Sequence, residues 1–152
     1  MSEDQPQFSF ASSFDHLKVY EDLERNGKWI KMGVANPDGT FPEALVVYCG
    51  KRNIQYQKAV EEALRPLQQE FKATNLGVAD YEKLDKSVFT RRGVKNWRNV
   101  PDADGNQVPF SIAALEAWIE KYPKGYLILQ EAAQNEDNYV PTRGGLEADA
   151  KK

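Results

Sequence analysis

The side chains that could perform chemistry are few, and no known catalytic pattern joins them. Histidine is the commonest proton carrier near neutral pH, and the one histidine, His16, follows Asp15 without a serine or cysteine partner in a recognisable motif. Adjacent carboxylates such as Glu61 and Glu62 point in different directions on a helix. The glycines form neither a dinucleotide fingerprint nor a phosphate loop. The sequence therefore predicts a protein that is not an enzyme, with no catalytic residue and no cofactor.

The densest group of oxygen ligands is Asp102, Asp104 and Asn106, at the spacing of the first three ligands of a calcium loop. The pattern stops at Gln107, where such a loop needs glycine. It also lacks the bidentate glutamate that would close the loop six residues further on. Gly105 instead favours a tight turn, because glycine tolerates a positive φ. We expect a turn here and no metal site.

The single cysteine, Cys49, excludes an internal disulfide and any multi-cysteine metal site. It closes the longest apolar run, residues 44–49, which is far too short to span a membrane and suits a buried strand. We expect Cys49 to be a small buried hydrophobic residue at a strand end. The first residues lack the features of a signal peptide, so we expect the protein to stay in the cytoplasm where it is made.

A basic run is the best argument for nucleic-acid binding. The thirteen residues from 86 to 98 contain no acid and include the aromatic residues Phe89 and Trp97. The net charge of −3 argues against this function, since unspecific binding depends on surplus positive charge. Cations before Gly93 also stabilise the end of a helix. A solvated helix face is the favoured interpretation. The cations of the run are Lys86, Arg91, Arg92, Lys95 and Arg98.

Length and composition predict one α+β domain, mostly helical, with an N-terminal β-hairpin. The 152 residues suffice for one core, and 41% hydrophobic and 28% charged residues are typical of a soluble globular protein. Residues 1–13 are expected to form a flexible arm, residues 14–139 the domain and residues 140–152 a flexible tail. The arm's alternating Phe8 and Phe10 could add a strand to a partner's sheet edge or fold onto their own domain.

Within the domain, apolar spacing and turn residues predict the elements. Residues 14–26 suggest a short helix or turn, and the hairpin at residues 28–49 turns at residues 36–39. Pro66 should kink or split the first long helix, and Asp80 should cap the second. The predicted helices are 54–74, 81–92, 111–122 and 125–138.

Trp97 is the predicted structural anchor. It lies three residues from Val94 and from Val100, so a short helical or 3₁₀ turn would place all three side chains on one surface. Ser111 follows as an N-cap for the next helix. We expect Trp97 to be buried against that helix.

Two blocks carry a resemblance to a known family. One comprises residues 93–111, GVKNWRNVPDADGNQVPFS, with residues 127–139, LILQEAAQNEDNY; the other comprises residues 27–30, GKWI, with residues 44–59, ALVVYCGKRNIQYQKA. Together they resemble the tail assembly chaperones of long-tailed bacteriophages. The resemblance covers most of the chain between residues 27 and 139.

The resemblance implies a non-catalytic chaperone that acts in the host cytoplasm and is absent from the mature virion. Such proteins keep the tape measure protein soluble and help bring tail tube subunits to it. A longer form made by translational frameshifting often exists, and the oligomeric state is open. The candidate partner-binding residues are aromatics near flexible ends and helix junctions, which a single core needs least: Phe8, Phe10, Tyr122, Tyr126 and Tyr139.

Two other functions are compatible with the sequence. The first is a structural virion protein, such as a head-tail connector or a tail completion subunit. The second is a small nucleic-acid-binding regulator that uses the basic run around Trp97. Detection in purified particles would identify the first, and a salt-dependent shift with DNA or RNA would identify the second.

Overall fold

The computed structural model describes residues 8–74 and 78–141 and confirms the expected α+β class with an N-terminal hairpin. This part of the chain forms five α-helices and three strands, with a 3₁₀ turn near each end. The elements are the 3₁₀ turn Ser12–Leu17, α1 Glu21–Asn26, β1 Lys28–Lys31, β2 Glu43–Val46, α2 Ile54–Thr74, α3 Val78–Arg92, β3 Val94–Arg98, α4 Ile112–Lys121, α5 Pro123–Gln134 and the 3₁₀ turn Glu136–Tyr139.

The hairpin forms where the turn signature places it. β1 and β2 pair antiparallel, with Trp29 opposite Leu45 and Ile30 opposite Ala44. Gly39 adopts the positive φ of +89° that the turn requires. The strands are shorter than the predicted hairpin, because the chain leaves the sheet after Val46 and its next amide groups bond to other elements. β2 is consequently the central strand of a three-stranded sheet ordered β1-β2-β3.

The segment around Trp97 is a strand, so the predicted helical or 3₁₀ turn is wrong. β3 pairs antiparallel with β2, Trp97 opposite Ala44. The register shifts between Leu45 and Val46, and the extra β3 residue, Lys95, forms a bulge. The bulge explains why Val94 and Trp97, three positions apart, are both buried although an ideal strand alternates its faces.

α2 and α3 differ from the prediction at two positions. α2 begins as expected, because the Asn53 side chain accepts a hydrogen bond from the Tyr56 amide at 3.0 Å. It then continues as one helix through Pro66, so the helix does not split there, and a kink at Pro66 stays a prediction. α3 begins at Val78, which places Asp80 inside the first turn and not at the cap.

The C-terminal helix pair is confirmed with altered bounds. The Ser111 hydroxyl accepts from the Ala114 amide at 3.0 Å, as the capping prediction requires. α5 begins at Pro123 and ends at Gln134, four residues before its predicted end. Asn135 explains the early end, because its side chain accepts from the Asp137 amide and starts the following 3₁₀ turn.

The hydrophobic core joins the sheet to α3, α4 and α5. Phe89 of α3 and Tyr126 of α5 pack edge to face with ring centroids 5.6 Å apart. Cys49 is buried, as expected, and it lies three residues after β2 ends. Its amide donates to the Ala133 carbonyl at 2.8 Å. The most enclosed large side chains are Tyr139, Phe89, Leu115, Leu129 and Val46.

The predicted arm and tail fall mostly outside the described residues. Residues 1–7 of the arm and 142–152 of the tail lie there. In the described part of the arm, residues 8–11 have no regular structure and are exposed, whereas residues 12 and 13 differ from the prediction because they begin the 3₁₀ turn Ser12–Leu17. The predicted helix or turn at residues 14–26 is a 3₁₀ turn followed by the short helix α1.

Candidate functional site

Trp97 is buried, as the sequence predicts. Its ring packs edge to face with Phe110 at 5.6 Å between centroids, and its indole N–H donates to the Val108 carbonyl at 2.7 Å. Both partners belong to the loop that leads to α4. The indole therefore fixes this loop to the sheet and is not available to a partner.

Two of the five candidate partner-binding aromatics are core residues. Tyr126 is 5% exposed and Tyr139 is 1% exposed, so the expectation that the core needs them least is wrong. Tyr126 packs on Phe89, and Tyr139 packs edge to face with Tyr48 at 5.7 Å. These rings lie at helix junctions in sequence, but the junctions fold onto the sheet.

The other three candidates, Phe8, Phe10 and Tyr122, are exposed. Phe8 and Phe10 belong to a longer set of exposed apolar side chains that precedes β1. The three-residue spacing from Phe14 to Leu23 led us to expect a short helix or turn there, but α1 buries no residue. We call this set the apolar strip: Phe8, Phe10, Phe14, Leu17, Val19 and Leu23.

Sequence analysis also missed exposed apolar residues in the second half of the chain. Leu127 and Ile128 of α5 are about half exposed, as is Ile112 at the start of α4. Exposure at Leu127 and Ile128 is difficult to predict from the sequence, because their neighbours Tyr126 and Leu129 in the same helix are buried. Only the packing of the helix shows which side faces the core.

The strip is attached to the domain at Glu24. The Glu24 carbonyl accepts from the Tyr48 amide at 3.0 Å, and its carboxylate pairs with Arg52. Arg52 also pairs with Glu136, which follows α5. One guanidinium thus connects α1, the start of α2 and the C-terminal 3₁₀ turn, three segments distant in sequence.

Tyr48 lies beneath this ion-pair network. The Arg52 guanidinium lies 4.8 Å from the centre of its ring, and its hydroxyl donates to Glu136 at 3.4 Å. Burial raises the pKa of Tyr48, so the phenol stays protonated and can donate. A Cβ atom on Gly50 would lie 2.1 Å from the Tyr48 hydroxyl oxygen. Glycine at position 50 is therefore required for this packing.

A groove of about 550 Å³ opens beside Tyr48 and Arg52. Three parts of the fold contribute its walls: the segment from Val19 through α1, the start of α2, and the junction of α3 and β3. The lining combines apolar and charged side chains. It consists of Val19, Glu21, Glu24, Arg25, Val47, Tyr48, Arg52, Asn53, Ile54, Gln55, Tyr56, Arg92 and Lys95.

The cations of the basic run have separate surroundings. Arg98 pairs with Glu43 at 2.9 Å and lies over the Trp29 ring, and the Lys86 ammonium lies 5.5 Å from the centre of the Tyr126 ring. Arg91 and Arg92 occupy the last turn of α3, as expected for cations at a helix C-terminus. Arg92 and Lys95 line the groove.

The oxygen donors at Asp102 form a turn, as expected. The Asp102 carboxylate accepts from the amides of Asp104 and Asn106, each at 2.9 Å, and Gly105 has a φ of +86°. In the described residues no group of three or more His, Cys, Asp or Glu side chains could hold a metal ion. The helices described here include none long and apolar enough to cross a membrane.

The family model described as YdaY prophage protein matches residues 50–151, which is about two thirds of the chain. No curated protein and no solved structure matches. The matched range begins at Gly50 and contains α2 to α5 and β3, whereas the apolar strip and the hairpin precede it.

Proposed function

Because the chain belongs to the YdaY prophage protein family, we propose that it acts in phage assembly as a non-catalytic tail assembly chaperone. Its partners in this proposal are the tape measure protein, which it keeps soluble, and the tail tube subunits, which it helps to recruit. It would act in the host cytoplasm and leave before the virion is complete. The sequence blocks at residues 27–59 and 93–139 support this finer function by resemblance.

The apolar strip is the observation that carries the proposal. Six large apolar side chains lie exposed within one short segment, residues 8 to 23, and exposed apolar surface is typical of protein interaction sites. A chaperone for long apolar helices needs such a surface, and it needs the surface to be accessible in the free protein. The attachment of α1 through Glu24 and Arg52 keeps the strip next to the folded domain.

Co-production with the tape measure protein of the same prophage tests the proposal. We expect the soluble fraction of the tape measure protein to rise, and the two proteins to co-purify at moderate salt because apolar contacts resist screening. The double variant Phe10→Ser, Phe14→Ser should lose most of this effect. Val34→Ser is the matched control, because Val34 is an exposed apolar residue of the hairpin outside the strip.

Two results would contradict the chaperone function. One is a tape measure protein that remains insoluble beside the wild-type chain. The other is stoichiometric recovery of the chain from purified virions, which would favour a head-tail connector or a tail completion subunit. Equal solubilisation by the strip variant and the Val34 control would show that another surface binds the partner.

A further inference from the structure

The groove has an uneven distribution of charge. Its lining carries four cations and two carboxylates, although the whole chain has a net charge of −3. Arg52 is paired with Glu24 and Glu136, and Arg25 is paired with Asp22. Among the described residues, two positive side chains and one negative side chain of the groove then remain without an ion-pair partner.

The unpaired charges lie on different walls. Arg92 and Lys95 come from the junction of α3 and β3, and neither has a carboxylate within ion-pair distance among the described side chains. Glu21 comes from a different element, α1. The wall formed by α3 and β3 is therefore positive and can accept carboxylates.

The remaining surface of the groove is partly apolar. Ile54 is 59% exposed at the start of α2, and Val19 is 48% exposed at the end of the apolar strip. A groove of about 550 Å³ can hold one or two apolar side chains of a ligand, which would pack against these two residues. The surface thus combines an apolar contact with a positive wall.

From this arrangement we infer that the groove binds an acidic segment of a partner protein that also carries apolar residues. Its carboxylates would meet Arg92 and Lys95, and its apolar side chains would contact Ile54 and Val19. Nucleic acid fits less well, because two unpaired cations would release few counterions, whereas the exposed Ile54 and Val19 suit apolar side chains. The inference rests on the proposed function for the presence of a protein partner, and it specifies the chemistry of the bound segment.

The test uses the full-length chain and a designed fluorescein-labelled peptide of 15 residues, in which leucine and glutamate recur at helical spacing. Fluorescence anisotropy at low salt should detect binding. A peptide with lysine in place of each glutamate, and one with serine in place of each leucine, should bind at least about fivefold more weakly. Arg92→Glu or Lys95→Glu should each weaken binding of the acidic peptide about fivefold.

Arg91→Glu is the matched control. Arg91 is exposed, belongs to the same last turn of α3 and has the same relation to the helix dipole, but it does not line the groove. Its affinity for the acidic peptide should stay within about twofold of wild type. Equal losses in Arg91→Glu and Arg92→Glu would overturn the inference, as would equal binding of the acidic and lysine peptides.

Three further outcomes are decisive, and the last two separate this inference from the proposed function. Tighter binding of a single-stranded DNA 15-mer than of the acidic peptide, abolished by Arg92→Glu, would replace the inference with a nucleic-acid site. Peptide binding without any effect on tape measure solubility would retain the groove and reject the chaperone. Solubilisation that survives Arg92→Glu but fails in the strip variant would retain the chaperone and exclude the groove from its client contact.

Discussion

The Tyr139 hydroxyl donates a hydrogen bond to the Val46 carbonyl at 3.1 Å, and this bond connects the end of the described chain to the central strand. The two residues are 93 positions apart. Tyr139 is almost fully enclosed, and burial raises its pKa. Its ring also contacts Tyr48, which lies under Arg52. Packing of the C-terminal turn therefore supports the residue that forms part of the groove.

Tyr139→Phe should lower the free energy of unfolding by about 1–2 kcal/mol, because the buried Val46 carbonyl loses its donor. Chemical denaturation with a constant m value is the measurement. Tyr122→Phe is the control, since Tyr122 is exposed and should change stability by less than about 0.5 kcal/mol. Equal stability of both variants would show that the Tyr139 hydroxyl contributes nothing.

Trp97→Ala should cost roughly 3–5 kcal/mol, as truncation of large aromatic core residues does. The ring loses its contact with Phe110 and the hydrogen bond to Val108. The stability of Trp97→Phe should lie between those of wild type and Trp97→Ala, because phenylalanine retains a ring but not the indole donor. A denaturation midpoint for Trp97→Ala equal to that of wild type would contradict the role of Trp97 as the structural anchor.

Gly50→Ala should lower stability by about 1–3 kcal/mol, because its Cβ would lie 2.1 Å from the Tyr48 hydroxyl oxygen and must displace the ring. Binding of the acidic peptide should weaken as well, since Tyr48 lines the groove. Gly33→Ala provides the control, as no atom lies within 4 Å of a Cβ there. If both variants behave alike, the packing of Tyr48 against Gly50 is unimportant.

Stability should decline in alkali from about pH 9. Burial raises the pKa of the Cys49 thiol from 9.0 to about 12, and burial raises the pKa of Tyr126 from 10.0 to about 12. Folding therefore favours both neutral groups, and the stability they contribute is complete below their ordinary pKa values and is lost as pH rises through about 12.

Cys49→Ala isolates the first part of this decline. Between pH 9 and 10 the thiol titrates in the unfolded chain before the tyrosines do, so wild type should lose about 1 kcal/mol more than the variant. Urea denaturation at pH 8, 9 and 10 measures the difference. Parallel curves for the two proteins would show that the thiol has the same pKa in both states.

The sequence by itself determined the features that depend on neighbouring residues. Gly39 and Gly105 mark turns because glycine adopts a positive φ at low cost, and Asn53 and Ser111 mark helix starts because their side chains reach amides three residues away. The α+β class follows from the same local signals. The buried state of Cys49 follows from the apolar run that it closes.

Only the tertiary structure decided which surfaces are covered and which residues form the groove. Trp97 belongs to a strand because β2 offers a partner some fifty positions earlier, which spacing within the segment does not reveal. Tyr139 is buried because its side chain contacts Val46 and Tyr48, and the groove forms where segments distant in sequence come together, among them Glu24 and Arg52. The physical reason is that burial and charge pairing depend on contacts between distant residues, whereas turns and caps depend on bonds between near ones.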